Sequence, residues 1–132
     1  MASISLGARH QHKVLVTSDI AIDFMGVAEA RVLATPYLIW NVEMTCRDLL
    51  KPMLDEGYDS VGTDVSVKHL AATPMGMSAT FHAEIVQVEG NRVTFKVEAY
   101  DEKEKISSGT HERYVVNVAR FATRVAAKAS GV

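Results

Sequence analysis

The 132-residue chain has a single cysteine, Cys46. A lone thiol closes no internal disulfide and builds no multi-thiolate zinc site, so a reducing cytoplasm is the expected compartment. Excess basic charge is missing too. Fourteen Lys and Arg against sixteen Asp and Glu leave a net charge of −2, and the pI is near 6.2. The chain therefore has no electrostatic footprint for nucleic acid. No apolar run approaches the ~18 residues that a membrane span needs. Residues 1–10 lack the charged-then-apolar layout of a signal peptide, so neither membrane nor export is expected. Walker and Rossmann glycine loops are absent.

What remains is a globular composition, 48% hydrophobic and 23% charged. A chain this long buries roughly two-thirds of its unfolded surface, enough for a core without staples. Repeats, linkers and low-complexity tracts are absent, and residues 1–132 read as one domain. From Val61 onward the pattern has period two. Val61, Thr63, Val65 and Val67 form one face of a strand, and Phe81, Ala83 and Ile85 one face of the next. The phase then slips to Val86 and Val88, which predicts a bulge or a stretch buried on both faces. Glu89-Gly90-Asn91 reads as a hairpin connection, Val93 to Ala99 as a third strand and Ile106 to Val118 as a long fourth. Connections this short favour antiparallel neighbours.

Before Val61 the period changes. Thr35-Pro36 predicts a helix start, with the hydroxyl as N-cap and proline in the first turn. Leu38, Ile39, Val42, Cys46, Leu49 and Leu50 follow at helical spacing until Pro52 and Gly57 end the run. His10 to Thr17 predicts a fifth strand, and Ser18 to Ala34 an irregular, helix-prone stretch broken at Gly26. The class is α+β, one antiparallel sheet on one long helix.

Three residues break this pattern. Glu43 lies on the apolar stripe of the helix, where a carboxylate must be paired, face a cavity, or reach water by its long stem. His69 continues the Val65 and Val67 face toward the helix, either as a satisfied core imidazole or as an acid–base group. Thr35 either caps the helix or stands beside backbone N–H groups able to hold an oxyanion. Other features are structural: Cys46 reads as a small buried hydrophobe, and His10 and His12 have no third metal ligand nearby.

Ala34-Thr35, then Glu43, then His69-Leu70-Ala71-Ala72-Thr73-Pro74-Met75-Gly76, then Gly109-Thr110-His111-Glu112-Arg113 resemble the fluoroacetyl-CoA thioesterase family of hotdog-fold proteins. The resemblance implies a long central helix wrapped by a curved antiparallel sheet, two subunits pairing through their sheets, and a Thr–Glu–His catalytic set at Thr35, Glu43 and His69. Gly62 and Arg113 fall where that family lines its acyl pocket. The implied activity is that of a homodimeric acyl-CoA thioesterase releasing a small acid and coenzyme A. It implies no metal or redox cofactor, and coenzyme A enters as part of the substrate. A non-catalytic acyl-CoA or small-ligand binder on the same fold is the alternative. The segment Asp19 to Arg31 departs from the family: where an aromatic lid is expected it carries one aromatic, Phe24, with Glu29 at the gating position.

Overall fold

The computed structural model describes residues 3–131. Five strands, β1 (Arg9–Leu15), β2 (Tyr58–His69), β3 (Ser78–Glu89), β4 (Arg92–Tyr100) and β5 (Lys105–Asn117), form one antiparallel sheet in the order β1-β3-β4-β5-β2. The helix α1 (Thr35–Leu50) lies across one face and buries Leu38, Val42, Cys46, Leu49 and Leu50 there. Against it the sheet sets Phe81, Ala83 and Ile85 of β3 and Val93, Phe95, Val97 and Ala99 of β4, all buried. Their alternation with Thr94, Lys96 and Glu98 is the period-two signature of a sheet covered on one side. This is the hotdog arrangement.

The long helix ends as the sequence predicts. Leu50 closes α1, Lys51–Met53 tightens into a 3₁₀ turn around Pro52, and Gly57 turns the chain at φ +87°. Its start differs by one residue. Ala34 is the N-cap and Thr35 is already helical, so the threonine hydroxyl is released from capping. Residues Ser18 to Ala34 form two single 3₁₀ turns joined by a loop.

The first of these turns spans Ser18–Ile20 and the second Ala28–Ala30. Between them Arg31 gathers the loop. Its guanidinium donates to Ser18 O at 2.8 Å, Ile22 O at 2.9 Å and Ser18 Oγ at 3.1 Å, and it pairs with Asp23 at 3.4 Å. Backbone bonds from Ile22 N to Val32 O, Ala34 N to Ile20 O and Leu33 N to Thr73 O, each 2.9 Å, fix where α1 begins.

Of the three register shifts in the sheet, one lies at the end of β4 between Ala99 and Tyr100, and the other two decide which faces turn inward. In β3 the extra residue is Val86, and Val86 and Val88 are 42% and 38% exposed, so the phase slip is a bulge and not a doubly buried stretch. In β2 the extra residue is Thr63, between Gly62 and Asp64. This corrects the predicted face. Val61 pairs with the exposed Tyr114 and points away from α1, whereas Ser60 and Gly62 share the inner face with Val65, Val67 and His69. The β5 strand ends at Asn117, whose side chain caps a second helix, α2 (Val118–Ala129), by accepting from Arg120 N at 3.0 Å. That helix has no counterpart in the sequence reading.

Gly109 of β5 pairs with Val67 of β2, and an added Cβ would stand 2.0 Å from Ser66 O and 2.7 Å from Val67 Cα. Both are backbone atoms, which cannot move without parting the two strands. Gly109→Ala should therefore destabilise the fold by about 1–3 kcal/mol or more, read as a lowered urea midpoint. An unchanged midpoint would contradict the packing described.

Candidate active site

The released hydroxyl of Thr35 finds a new partner. Its Oγ1 lies 2.8 Å from Nδ1 of His69, at the end of β2. The other ring nitrogen, Nε2, is buried and makes no hydrogen bond among the described residues. Burial holds the His69 pKa below the usual histidine value, which favours a neutral ring at pH 7. The backbone N–H of Thr35 has no partner among the described residues: Pro36 has no N–H, and those of Tyr37 and Leu38 both return to Ala34 O. Helix geometry thus sets a free donor, a hydroxyl and an imidazole at one point.

Two turns further along α1 is Glu43, with 30% of its side chain exposed. Its Oε1 is 3.6 Å from Nη1 of Arg113, which β5 projects from the inner face. Arg113 is only 4% exposed, and its guanidinium is tied to β2: Nε donates to Ser60 Oγ at 2.7 Å and Nη2 to Ser60 O at 2.8 Å. Gly62, opposite Arg113, leaves room for the carboxylate. A Cβ there would stand 2.3 Å from Glu43 Oε1. The Thr63 bulge makes this possible. Gly62 and His69 are seven residues apart, so a regular strand would turn them to opposite faces.

His111, two residues before Arg113, completes the cluster. It is 1% exposed and stacks on Phe95, with Nδ1 2.8 Å from Asp64 O and Nε2 3.2 Å from Arg113 Nη1. Burial lowers its pKa, and the Arg113 charge acts in the same direction. The functional reading of the sequence passed over His111 and Ser60. A signal for the former was present: Gly109, His111, Arg113 and Val115 share a face, opposite Thr110, Glu112 and Tyr114.

The five site residues expected from sequence thus fall into two groups. Thr35 and His69 form one, and Glu43, Gly62 and Arg113 the other. Within one chain Glu43 makes no hydrogen bond to Thr35 or His69. Eight residues of helix separate Thr35 from Glu43, a rise of about 12 Å. Burial pushes the Cys46 thiol above its usual range, which keeps it protonated and unreactive. Among the described residues no group of three or more His, Cys, Asp or Glu side chains is placed to hold a metal ion, and no helix is long and apolar enough to cross a membrane.

Comparison with known proteins agrees with this fold. Residues 16–119 match the family model described as fluoroacetyl-CoA-specific thioesterase. The chain is 40% identical over 97 residues to a fluoroacetyl-CoA thioesterase from Streptantibioticus cattleyicolor, covering 74% of this chain and 70% of that one. A solved structure of the fluoroacetyl-CoA thioesterase FlK superposes with a TM-score of 0.88 at 33% identity, over 96% of this chain and 98% of the other. A variant of that enzyme in complex with fluoroacetate and CoA superposes with a TM-score of 0.81 at 35% identity, over 89% and 99% of the two chains. With most of its length matched by sequence and nearly all of it by structure, the chain belongs to the fluoroacetyl-CoA-specific thioesterase family of hotdog proteins.

Proposed function

We propose that the protein hydrolyses short acyl-CoA thioesters to the free acid and coenzyme A. The observation that carries this reading is the Glu43 carboxylate, set against Gly62 and 3.6 Å from a buried arginine on a helix whose first residue is bonded to His69. Glu43 acts on the thioester carbonyl, either as nucleophile or as base toward a water molecule. The C–S bond breaks as the carbonyl is attacked. His69, held neutral by burial, accepts the proton released by the hydrolytic water, either in direct attack or after acyl transfer to Glu43, and passes it to the departing thiolate. Thr35 orients the imidazole through the 2.8 Å contact. The unpartnered N–H of Thr35, at the positive end of α1, supports the developing oxyanion. Coenzyme A enters as part of the substrate, and these side chains supply the chemistry without a metal or redox cofactor. The single reduced cysteine fits a cytoplasmic enzyme.

The assembly in this reading is a homodimer. The β2 strand is a twelve-residue edge that carries both Gly62 and His69, and an unpaired edge of that length is a template for a second copy. Antiparallel pairing about a two-fold axis at Ser66, with Thr63 bulged out of the ladder, sets Gly62 of one chain level with the partner subunit's His69. That register joins the two groups of site residues that stand apart within one chain.

Substrate breadth follows from the Arg31-gathered loop. Its tip carries Phe24, Met25 and Val27, exposed by 77%, 59% and 55%, while small Ala28 and Ala30 and charged Glu29 follow. Such a loop closes loosely over a two-carbon acyl group.

Glu43→Gln should abolish turnover with the fold intact, and His69→Ala should cost about 10²–10⁴ in rate. Near-wild-type turnover of the glutamine variant, or a loss under about tenfold for the alanine variant, would remove that residue from the mechanism. Across acetyl-, fluoroacetyl-, propionyl-, butyryl- and hexanoyl-CoA, kcat/KM should change gradually, since one methylene alters binding by only ~1–3 kcal/mol. A preference for fluoroacetyl-CoA by several powers of ten would place selectivity near Gly62 and Arg113 and not in the loop. Sedimentation should give a dimer at micromolar concentration, and mixing the two inactive variants should restore part of the activity through hybrid sites. A monomer would refute the assembly, and a dimer whose hybrids stay inactive would refute the shared register.

A further inference from the structure

We propose that His111 is a positioning residue that holds the Arg113 guanidinium back from Glu43. The inference deepens the hydrolase reading and rests on it. An arginine and a carboxylate left to themselves close to about 2.7–2.9 Å and often join through two hydrogen bonds. Here Nη1 and Oε1 stop at 3.6 Å, although the arginine is buried and the glutamate is partly exposed. Something must restrain the cation.

The restraint is visible at each guanidinium nitrogen. Nε and Nη2 are committed to Ser60, and Nη1 lies 3.2 Å from His111 Nε2. Arginine only donates, so the nitrogen facing it must offer a lone pair. Asp64 O, 2.8 Å from Nδ1, only accepts, so Nδ1 must carry the proton. The two contacts together define one neutral tautomer. The ring has little freedom to leave it, being 1% exposed and stacked on Phe95. The Thr63 bulge immediately precedes Asp64, whose carbonyl anchors the ring. Of the two N–H groups on Nη1, one is committed to His111, and that bond fixes how closely the nitrogen approaches Glu43. The carboxylate keeps a nearby positive charge without surrendering an oxygen to a short, rigid bond, which leaves it free to act on a substrate.

The test combines structure with kinetics. His111→Phe keeps a ring against Phe95 but removes the acceptor. In its crystal structure the Arg113–Glu43 separation should shorten to about 2.8–3.0 Å. For the best acyl-CoA substrate, kcat should fall about tenfold or more while KM changes by less than about threefold. His111→Gln, with an amide oxygen able to accept from Nη1, should recover to within about threefold of wild type. In an Arg113→Met background the phenylalanine substitution should add no further loss, because its effect runs through the guanidinium. An unchanged 3.6 Å separation, equal losses for phenylalanine and glutamine, or additive losses with Arg113→Met would each overturn the proposal. If His111→Phe does not fold, His111→Asn, too short to reach Nη1, replaces it in both measurements. A wild-type protein without thioesterase activity would overturn the hydrolase reading alone, since the crystallographic distance still tests His111.

Discussion

A guanidinium is permanently charged and carries five N–H donors, and burying it without partners costs several kcal/mol. Arg113, 4% exposed, meets that demand on the inner face of the sheet. Much of the site's layout serves the same requirement. Ser60 supplies a hydroxyl and a carbonyl from the neighbouring strand, His111 supplies a lone pair from two residues earlier, and Glu43 supplies the countercharge from the helix. These partners come from β2, β5 and α1. The arginine consequently fixes how the helix sits over the edge of the sheet as well as providing charge within the site.

The Thr63 bulge lets one strand serve both halves of the site. Without it, the period of two would turn Gly62 away from His69, and Glu43 would face a side chain in place of a glycine. A bulge interrupts the ladder locally, but the rest of the long β2–β5 pairing keeps its register on either side. An irregularity in the strand thus sets the inward-facing surface.

The sequence reveals the coarse architecture because the architecture is periodic. Alternation in Val93 to Ala99 and helical spacing from Leu38 to Leu50 each follow from burial on one side, and burial constrains many residues at once. Glu43 and His69 stood out because each is polar on an otherwise apolar face. What escaped depends on single events. The position of the β2 bulge turns on one extra residue, and so does whether Thr35 or Ala34 caps the helix. Neither leaves a periodic trace. His111 lies inside a recognised motif, yet its importance comes from contacts with Asp64, 47 positions away in the chain, and with its neighbour Arg113. The helix Val118–Ala129 could have been anticipated from Asn117 as its cap and from the apolar spacing of Val118, Phe121 and Val125.

Arg31 separates two duties within the loop before α1. Its bonds to Ser18, Ala21 and Ile22 tie the base, while Phe24, Gly26 and Val27 beyond them carry none of that connectivity. Anchorage and tip are therefore free to diverge independently in evolution. Substitutions at the tip can remodel what the loop covers without shifting Leu33, Ala34 or the first turn of the helix. In such a scaffold the loop's coverage is readily revised, because the residues that would change are not the ones that keep Thr35 in place.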